Sequence, residues 1–260
     1  MNDLNVLIRK EWREMSRNYK LYWIPIVFII FGIIEPVTNY YLPQIMQSVG
    51  NLPEGMDFLW PEFTGEDIFI SLMGQYQTVG ILLFSLAFMG SIAGERKSGT
   101  ATLLYVRPLS FKNYFLSKWI VINGIALSSV WIGFLAAWYY IRILFNTVPI
   151  GELLAFLATY SLWIVFAVTL ILFFSASVST GATAGLSILF LLFFQVIDSV
   201  IGAYWKVTPW KLSSYAADQF YHTMDQSGYW MTVGLNSMLI LLFIVLGIVA
   251  SKKNASKTTV

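Results

Sequence analysis

Two acids sit inside long apolar runs, where a charge is costly. Glu35 lies 14 residues beyond Leu21, and Asp198 lies 14 residues beyond Ala184. At ~1.5 Å per residue, each is about 21 Å along its run. A charge at a bilayer midplane costs ~2.5–3.5 kcal/mol on the insertion scale, and less toward the interface. Two facing carboxylates can do acid–base chemistry. They can also line a polar path, with Gln75 and Thr78 of another run. Arg142, at the end of a third run, offers a countercharge, so a structural ion pair at headgroup depth is the reading adopted. Other chemistry is thin. His222 is the single histidine and there is no cysteine. Sites needing two imidazoles, thiolate metal centres, disulfides and cysteine nucleophiles are therefore excluded, and no catalytic or metal site is assigned. Gly94 and Gly99 have phosphate-loop spacing, but Thr100 follows where that motif needs Lys, and no βαβ pattern surrounds them.

The elements that must hold these residues follow from composition. Of 260 residues, 57% are hydrophobic and 12% charged. That charged share is about half the usual one for a soluble protein. Disorder is excluded by the same hydrophobicity. A net charge of +2 gives no sign of nucleic-acid binding. Crossing ~30 Å of hydrocarbon takes ~20 apolar residues, and six runs qualify: Leu21–Tyr41, Ile68–Ala93, Trp119–Ile141, Leu153–Val178, Ala184–Ala203 and Trp230–Ala250. They are too long and continuous for barrel strands. The fold class is an all-α polytopic membrane protein with six transmembrane helices.

Basic residues set the orientation. Thirteen Lys and Arg lie in the N-terminal segment, the loop after the second run and the C-terminal tail; only Arg142, Lys206 and Lys211 lie on the other side. Both termini are expected in the cytoplasm. Residues 1–20 read as an amphipathic interfacial helix, with Leu4, Leu7, Ile8, Trp12, Met15 and Tyr19 on one face and Arg9, Lys10, Arg13, Glu14 and Arg17 on the other. The transmembrane domain spans 21–250, and 251–260 is a cytoplasmic tail. The outer loop Tyr204–Tyr229 is rich in aromatics and is expected to form a packed interfacial cap, with His222 solvated.

The loop Gly94–Lys118 is the most informative stretch. Ser98 or Thr100 can cap a short helix with its body at Ala101–Val106, and Pro108 ends it. Ser110 can cap a second helix running through Lys118 into the third span. A short helix held beneath the membrane suits docking into a partner's groove. This loop resembles that of ATP-binding-cassette (ABC) transporter permeases of the type-2 exporter class. The matching residues are Glu95, Arg96, Gly99, Thr100, Leu103, Leu104, Pro108, Leu109, Ser110 and Lys118. The motif covers about 25 residues, and the layout of the whole chain is similar to the family's.

The resemblance implies a membrane permease that pairs with a second copy or a related permease in the lipid bilayer and binds two separate ABC-type ATPase subunits. ATP and Mg would act on those partners, with no cofactor on this chain. Ser98–Val106 would be the coupling helix, and the N-terminal helix, with Arg9, Trp12 and Arg13, the connecting helix. Glu95 would bridge to basic residues near that helix, Arg9 or Arg13. The expected setting is a bacterial plasma membrane, crossed several times. The alternatives are an ion-coupled carrier or channel, or a non-transporting membrane assembly or sensor protein.

Overall fold

The structure, a computed structural model, describes residues 3–48, 63–99, 110–145 and 148–255. Within them all regular structure is helical: α1 Asp3–Arg17, α2 Lys20–Ser48, α3 Gly65–Gln75, a π-helical turn Tyr76–Gly80, α4 Ile81–Phe88, α5 Ala93–Lys97, α6 Phe111–Leu144, α7 Ile150–Ser177, α8 Thr180–Ile201, α9 Lys211–Tyr221 and α10 Gln226–Ala255. Six helical stretches are long and apolar enough to cross a membrane. The middle of α1 and the end of α10 meet α5 and the end of α7 at one end of the bundle, called here the near end. The opposite end is the far end.

Helix α7 is the axis. Phe156, Tyr160, Trp163 and Ala167 are fully buried on it. Helices α6, α9 and α10 pack around it, and α2 packs on α6. In hydrocarbon every polar donor needs an internal acceptor, and α6 and α7 use this. The indole Nε1 of Trp119 donates to Thr169 Oγ1 at 2.7 Å, that of Trp131 to Ser161 Oγ at 2.8 Å, and that of Trp138 to the Val148 carbonyl at 3.0 Å. These bonds fix the rotation of α6 against α7 along their length. Helix α8 buries only a narrow stripe of Thr183, Ala184, Ser187 and Leu191. The positions three and four apart define one face; the rest is open.

The second span departs from the expected single run. It is broken at a π-helical turn and again between α4 and α5. No proline lies within it, and tertiary contacts hold both breaks. The Tyr76 hydroxyl donates to the Phe28 carbonyl of α2 at 2.6 Å. The same ring packs edge-on against Phe28 and Phe134, at 4.6 and 4.9 Å between centroids. Beside it α2 and α6 cross at Gly32 and Gly133, where no side chain separates the backbones. A π turn carries one residue more than an α turn and so re-aims the helix after it.

The second break is held by Ser175 of α7. Its Oγ accepts from the backbone amides of Ile92 and Ala93 at 3.0 and 3.1 Å, and donates to the Met89 carbonyl at 2.9 Å. All three atoms belong to the turn that starts α5, and Ser175 is fully buried. Ser175→Ala is expected to orphan two buried amides and to cost about 1–3 kcal/mol. Thermal unfolding in detergent measures this, with Ser177→Ala as the control, since the Ser177 hydroxyl bonds only the Phe173 carbonyl of its own helix. Equal midpoints for the two variants would remove Ser175 from this role.

The cap expected at Tyr204–Tyr229 is present as α9. Leu212, Tyr215, Ala216 and Phe220 form its buried face. Phe220 stacks on Phe156 and Phe69, and Trp210 stacks on Phe194. Tyr221 ties the end of α9 to the start of α3 through Asp67 Oδ1 at 2.9 Å. Burial and the Asp67 carboxylate push the Tyr221 hydroxyl up to about 12. His222 is largely exposed, 3.6 Å from Glu152.

Candidate functional site

At the near end, three elements distant in sequence meet on one set of buried charges. Helix α1 lies along the bundle with Leu7, Glu11 and Met15 inward. These positions are four apart, so they share one face. The apolar stripe read from the sequence was rotated: Trp12 is 49% exposed and Tyr19 is 71% exposed. An acid occupies the centre of the buried face. The signal was present in the Leu7–Glu11–Met15 spacing, but a charge inside an apolar stripe is normally read as its edge.

Glu11 and Lys118 are each 1% exposed. The Lys118 ammonium donates to both Glu11 oxygens, at 3.0 and 2.9 Å, and lies 2.9 Å from Glu95 Oε1. The Tyr114 hydroxyl donates to the other Glu95 oxygen at 2.6 Å. Lys10 donates to Glu95, and also to Glu11 and Glu14 at 2.9 Å. Partial burial works to lower the Lys10 pKa, but the Glu11 and Glu95 carboxylates outweigh it and hold the ammonium well above its ordinary range. Ions this deep are stable only when paired and hydrogen-bonded. Here every carboxylate oxygen of Glu11 and Glu95 has a donor.

This corrects the expected bridge. Glu95 pairs with Lys10 and Lys118, not with Arg9 or Arg13. Arg9, Trp12 and Arg13 are on the open face of α1. Arg13 joins Lys10, Glu14, Arg17 and Asn18 around a shallow depression there. Oxygens of Glu11, Glu14 and Glu95 lie within 4.8 Å of one another, as in a divalent-cation site, but the two lysines already supply the countercharge.

Arg96 faces the other way. Its guanidinium donates to the Ala176 carbonyl at 2.9 Å and to that of Val178. Asn254, at the end of α10, reaches the same Ala176 carbonyl at 2.8 Å. The orphan carbonyls at the end of α7 are thereby satisfied, and α5, α7 and α10 are joined. Arg96, Lys97, Val178, Thr180 and Asn254 border an open groove of about 380 Å³. Ser98 closes α5, and Gly99 follows with φ +74°, a left-handed conformation that glycine adopts without strain. The Gly94–Gly99 spacing therefore ends a helix. A helix end of this polarity repels phosphate. Thr100, Leu103, Leu104 and Pro108, with most of the expected coupling helix at 98–106, lie outside the described residues. Ser110 precedes α6 as expected, without a side-chain cap.

The expected far-end ion pair is not formed by Arg142. That guanidinium lies over the Trp138 ring, 5.6 Å from its centroid. Glu35 instead accepts from Ser71 and from Asn39 at 3.2 Å. Asp198 accepts from the Trp205 indole at 2.8 Å and lies 3.8 Å from Lys211. Each acid found a nearer donor in its own surroundings, so a long-range cation was not needed. Thr78 is exposed and bonds its own helix, while Gln75 Oε1 is buried without a partner. Sequence reasoning missed Glu11, Lys10 and Tyr114, whose roles depend on how α1 is rotated.

A family model described as "ABC-2 family transporter protein" matches residues 5–252. The chain is also 35% identical over 208 residues to the "Uncharacterized transmembrane protein YxlG" of Bacillus subtilis (strain 168), covering 79% of this chain and 81% of that one. With six membrane-length helices and a match across nearly its whole length, this multi-pass protein of the bacterial cell membrane belongs to the ABC-2 family of transporter permeases.

Proposed function

We propose that this chain is the membrane half of an ATP-driven exporter and takes its drive from separate ATPase subunits. Glu95 and Lys118 are the stems of the 98–110 loop, and the direct contact between them carries this reading. Both stems are clamped to each other and, through Glu11, to α1. A partner pressing on the loop or on the outward face of α1 therefore moves α1, α5 and α6 as one body. Arg96 extends the same body to the end of α7. The excess of basic residues at the near end supports a cytoplasmic position for it, where ATPases are. Two such partners and a second permease, identical or related, complete the assembly. The acids of the far end are bonded locally. They do not form a chain of ionisable groups at the midplane, which favours this reading over an ion-coupled carrier.

Affinity purification of the chain from native membranes in mild detergent tests it. A stoichiometric ATPase carrying a phosphate loop is expected to co-purify and to hydrolyse ATP. Glu95→Gln is expected to leave the chain in the membrane but to reduce the coupling of hydrolysis to export by about tenfold, equivalent to ~1.4 kcal/mol, because one clamp on the loop stem is weakened. A chain that purifies alone, in detergent that preserves other transporter complexes, overturns the proposal.

A further inference from the structure

A cleft of about 430 Å³ opens between α3, α8 and α9, in the half of the bundle away from the termini. Four polar side chains decide its chemistry. Gln77 lines it and is only 8% exposed, and its amide has no hydrogen-bond partner among the described residues. Gln195 also lines it, and its Oε1 is sealed from solvent without a donor. Buried polar groups are nearly always paired, so an unpaired amide that lines a cleft, as that of Gln77 does, calls for a partner from outside. Asp198 and Asp218 add two carboxylates to the wall. Lys211 is the cation near both, 3.8 Å from Asp198 and attracted to Asp218. The cleft thus holds one carboxylate more than its nearby cation balances. A phosphate or carboxylate ligand is disfavoured by that charge, and a donor-rich cation is favoured.

We propose that this cleft binds the headgroup of a cationic amphipath: a protonated primary amine on an apolar body, set against Asp198 and Asp218, with the Gln77 amide oxygen accepting one of its N–H bonds. The apolar body has a place. On the same helix as Gln195 and Asp198, Phe193, Val196 and Val200 are 57%, 61% and 73% exposed. They give a tail an exposed apolar surface on the helix that carries part of the headgroup site. Burial holds the Asp218 carboxyl above its ordinary value, against the pull of Thr223 and Lys211. An arriving ammonium offsets that cost.

The occupant as cargo rests on the transporter reading above; the binding itself is measured without it. The full chain is placed in nanodiscs of phosphatidylcholine and titrated with dodecylamine, with dodecanol as the uncharged comparison. Tryptophan emission reports occupancy, since Trp210 lines the cleft. Dodecylamine is expected to bind about tenfold or more tighter than dodecanol, as a charge-assisted hydrogen bond warrants. Gln77→Leu and Asp218→Asn are each expected to weaken the amine about tenfold and to leave dodecanol unchanged. Gln77→Leu removes an unpaired amide, so it is expected to fold at least as well as the parent. Equal binding of amine and alcohol, or amine binding indifferent to both substitutions, overturns the site. Nanodiscs containing phosphatidylethanolamine separate the sources: competition makes the occupant a lipid headgroup, and its absence makes it a free amphipath. Amine binding without a co-purifying ATPase keeps the site and removes its role in export. A co-purifying ATPase without amine binding does the reverse.

Discussion

Lys118→Met is expected to lower the thermal midpoint by about 6–20 °C and to strip most folded protein from the membrane. Lys118 is the hub of the near-end network. It is fully buried, holds both Glu11 oxygens and touches Glu95. Methionine fills similar space, so packing is kept while the charge is lost. Glu11 and Glu95 then remain buried with Lys10 as the shared cation. Removing one member of a buried ion pair costs about 3–5 kcal/mol. That is a large part of a total stability of ~5–15 kcal/mol, and at ~2–4 °C per kcal/mol it gives the stated shift. The check is fluorescence-detected size-exclusion after stepwise heating. The double variant Glu11→Gln with Lys118→Met is expected to recover part of the loss, because it removes the stranded charge. A double variant as poor as the sum of the singles shows that the two groups are not coupled. A single variant within 1 °C of the parent shows that the network carries no stability.

Gly32→Ala and Gly133→Ala are expected to separate α2 from α6. A Cβ on Gly32 would stand 2.1 Å from the Gly133 carbonyl oxygen, and one on Gly133 would stand 2.2 Å from the Tyr76 hydroxyl and 2.8 Å from the Phe28 carbonyl oxygen. Backbone atoms cannot rotate away, so at Gly32 the helices themselves must move. Overpacking of this kind costs about 1–3 kcal/mol. At Gly133 the Tyr76 hydrogen bond is lost as well, for about 1 kcal/mol more. Gly124→Ala and Gly151→Ala are the controls. Nothing lies within 4 Å of a Cβ at either, and each is expected to be neutral or slightly stabilising, since alanine is the better helix former. The same heating assay applies. Equal behaviour of all four variants would refute the close crossing.

The six spans were legible because each is a continuous apolar run. The helices extend past the runs, as α6 does from Phe111 to Leu144, because polar end residues still satisfy their backbones in helix. The breaks in the second span were not legible. They depend on Tyr76 reaching Phe28 and on Ser175 reaching Ile92, contacts between residues 48 and 83 apart. Glu95 and Lys118 were legible as site candidates from the loop, but not their partner. Choosing Lys10 over Arg9 or Arg13 for Glu95, and Glu11 for Lys118, requires the rotation of α1, and a stripe of moderate apolarity fits two phases. The Arg142 pairing failed for a related reason. Charge arithmetic finds an opposite sign, but Ser71, Trp205 and Lys211 are nearer in space.

The hub also sets an order of events during synthesis. Glu11, Glu95 and Lys118 all lie ahead of α7, and the Glu11–Lys118 contact spans 107 residues. At ~5–20 residues per second, Lys118 leaves the ribosome about 5–20 s after Glu11. Until then Glu11 lacks the ammonium that holds both of its oxygens. Once Lys118 emerges, α1 can be tied to α5 and α6 while α7 to α10 are still being made, but the turn before α5 closes only when Ser175 of α7 arrives. The charge contacts of the N-terminal half are thus expected to precede the arrival of α7, the axis on which the other helices pack.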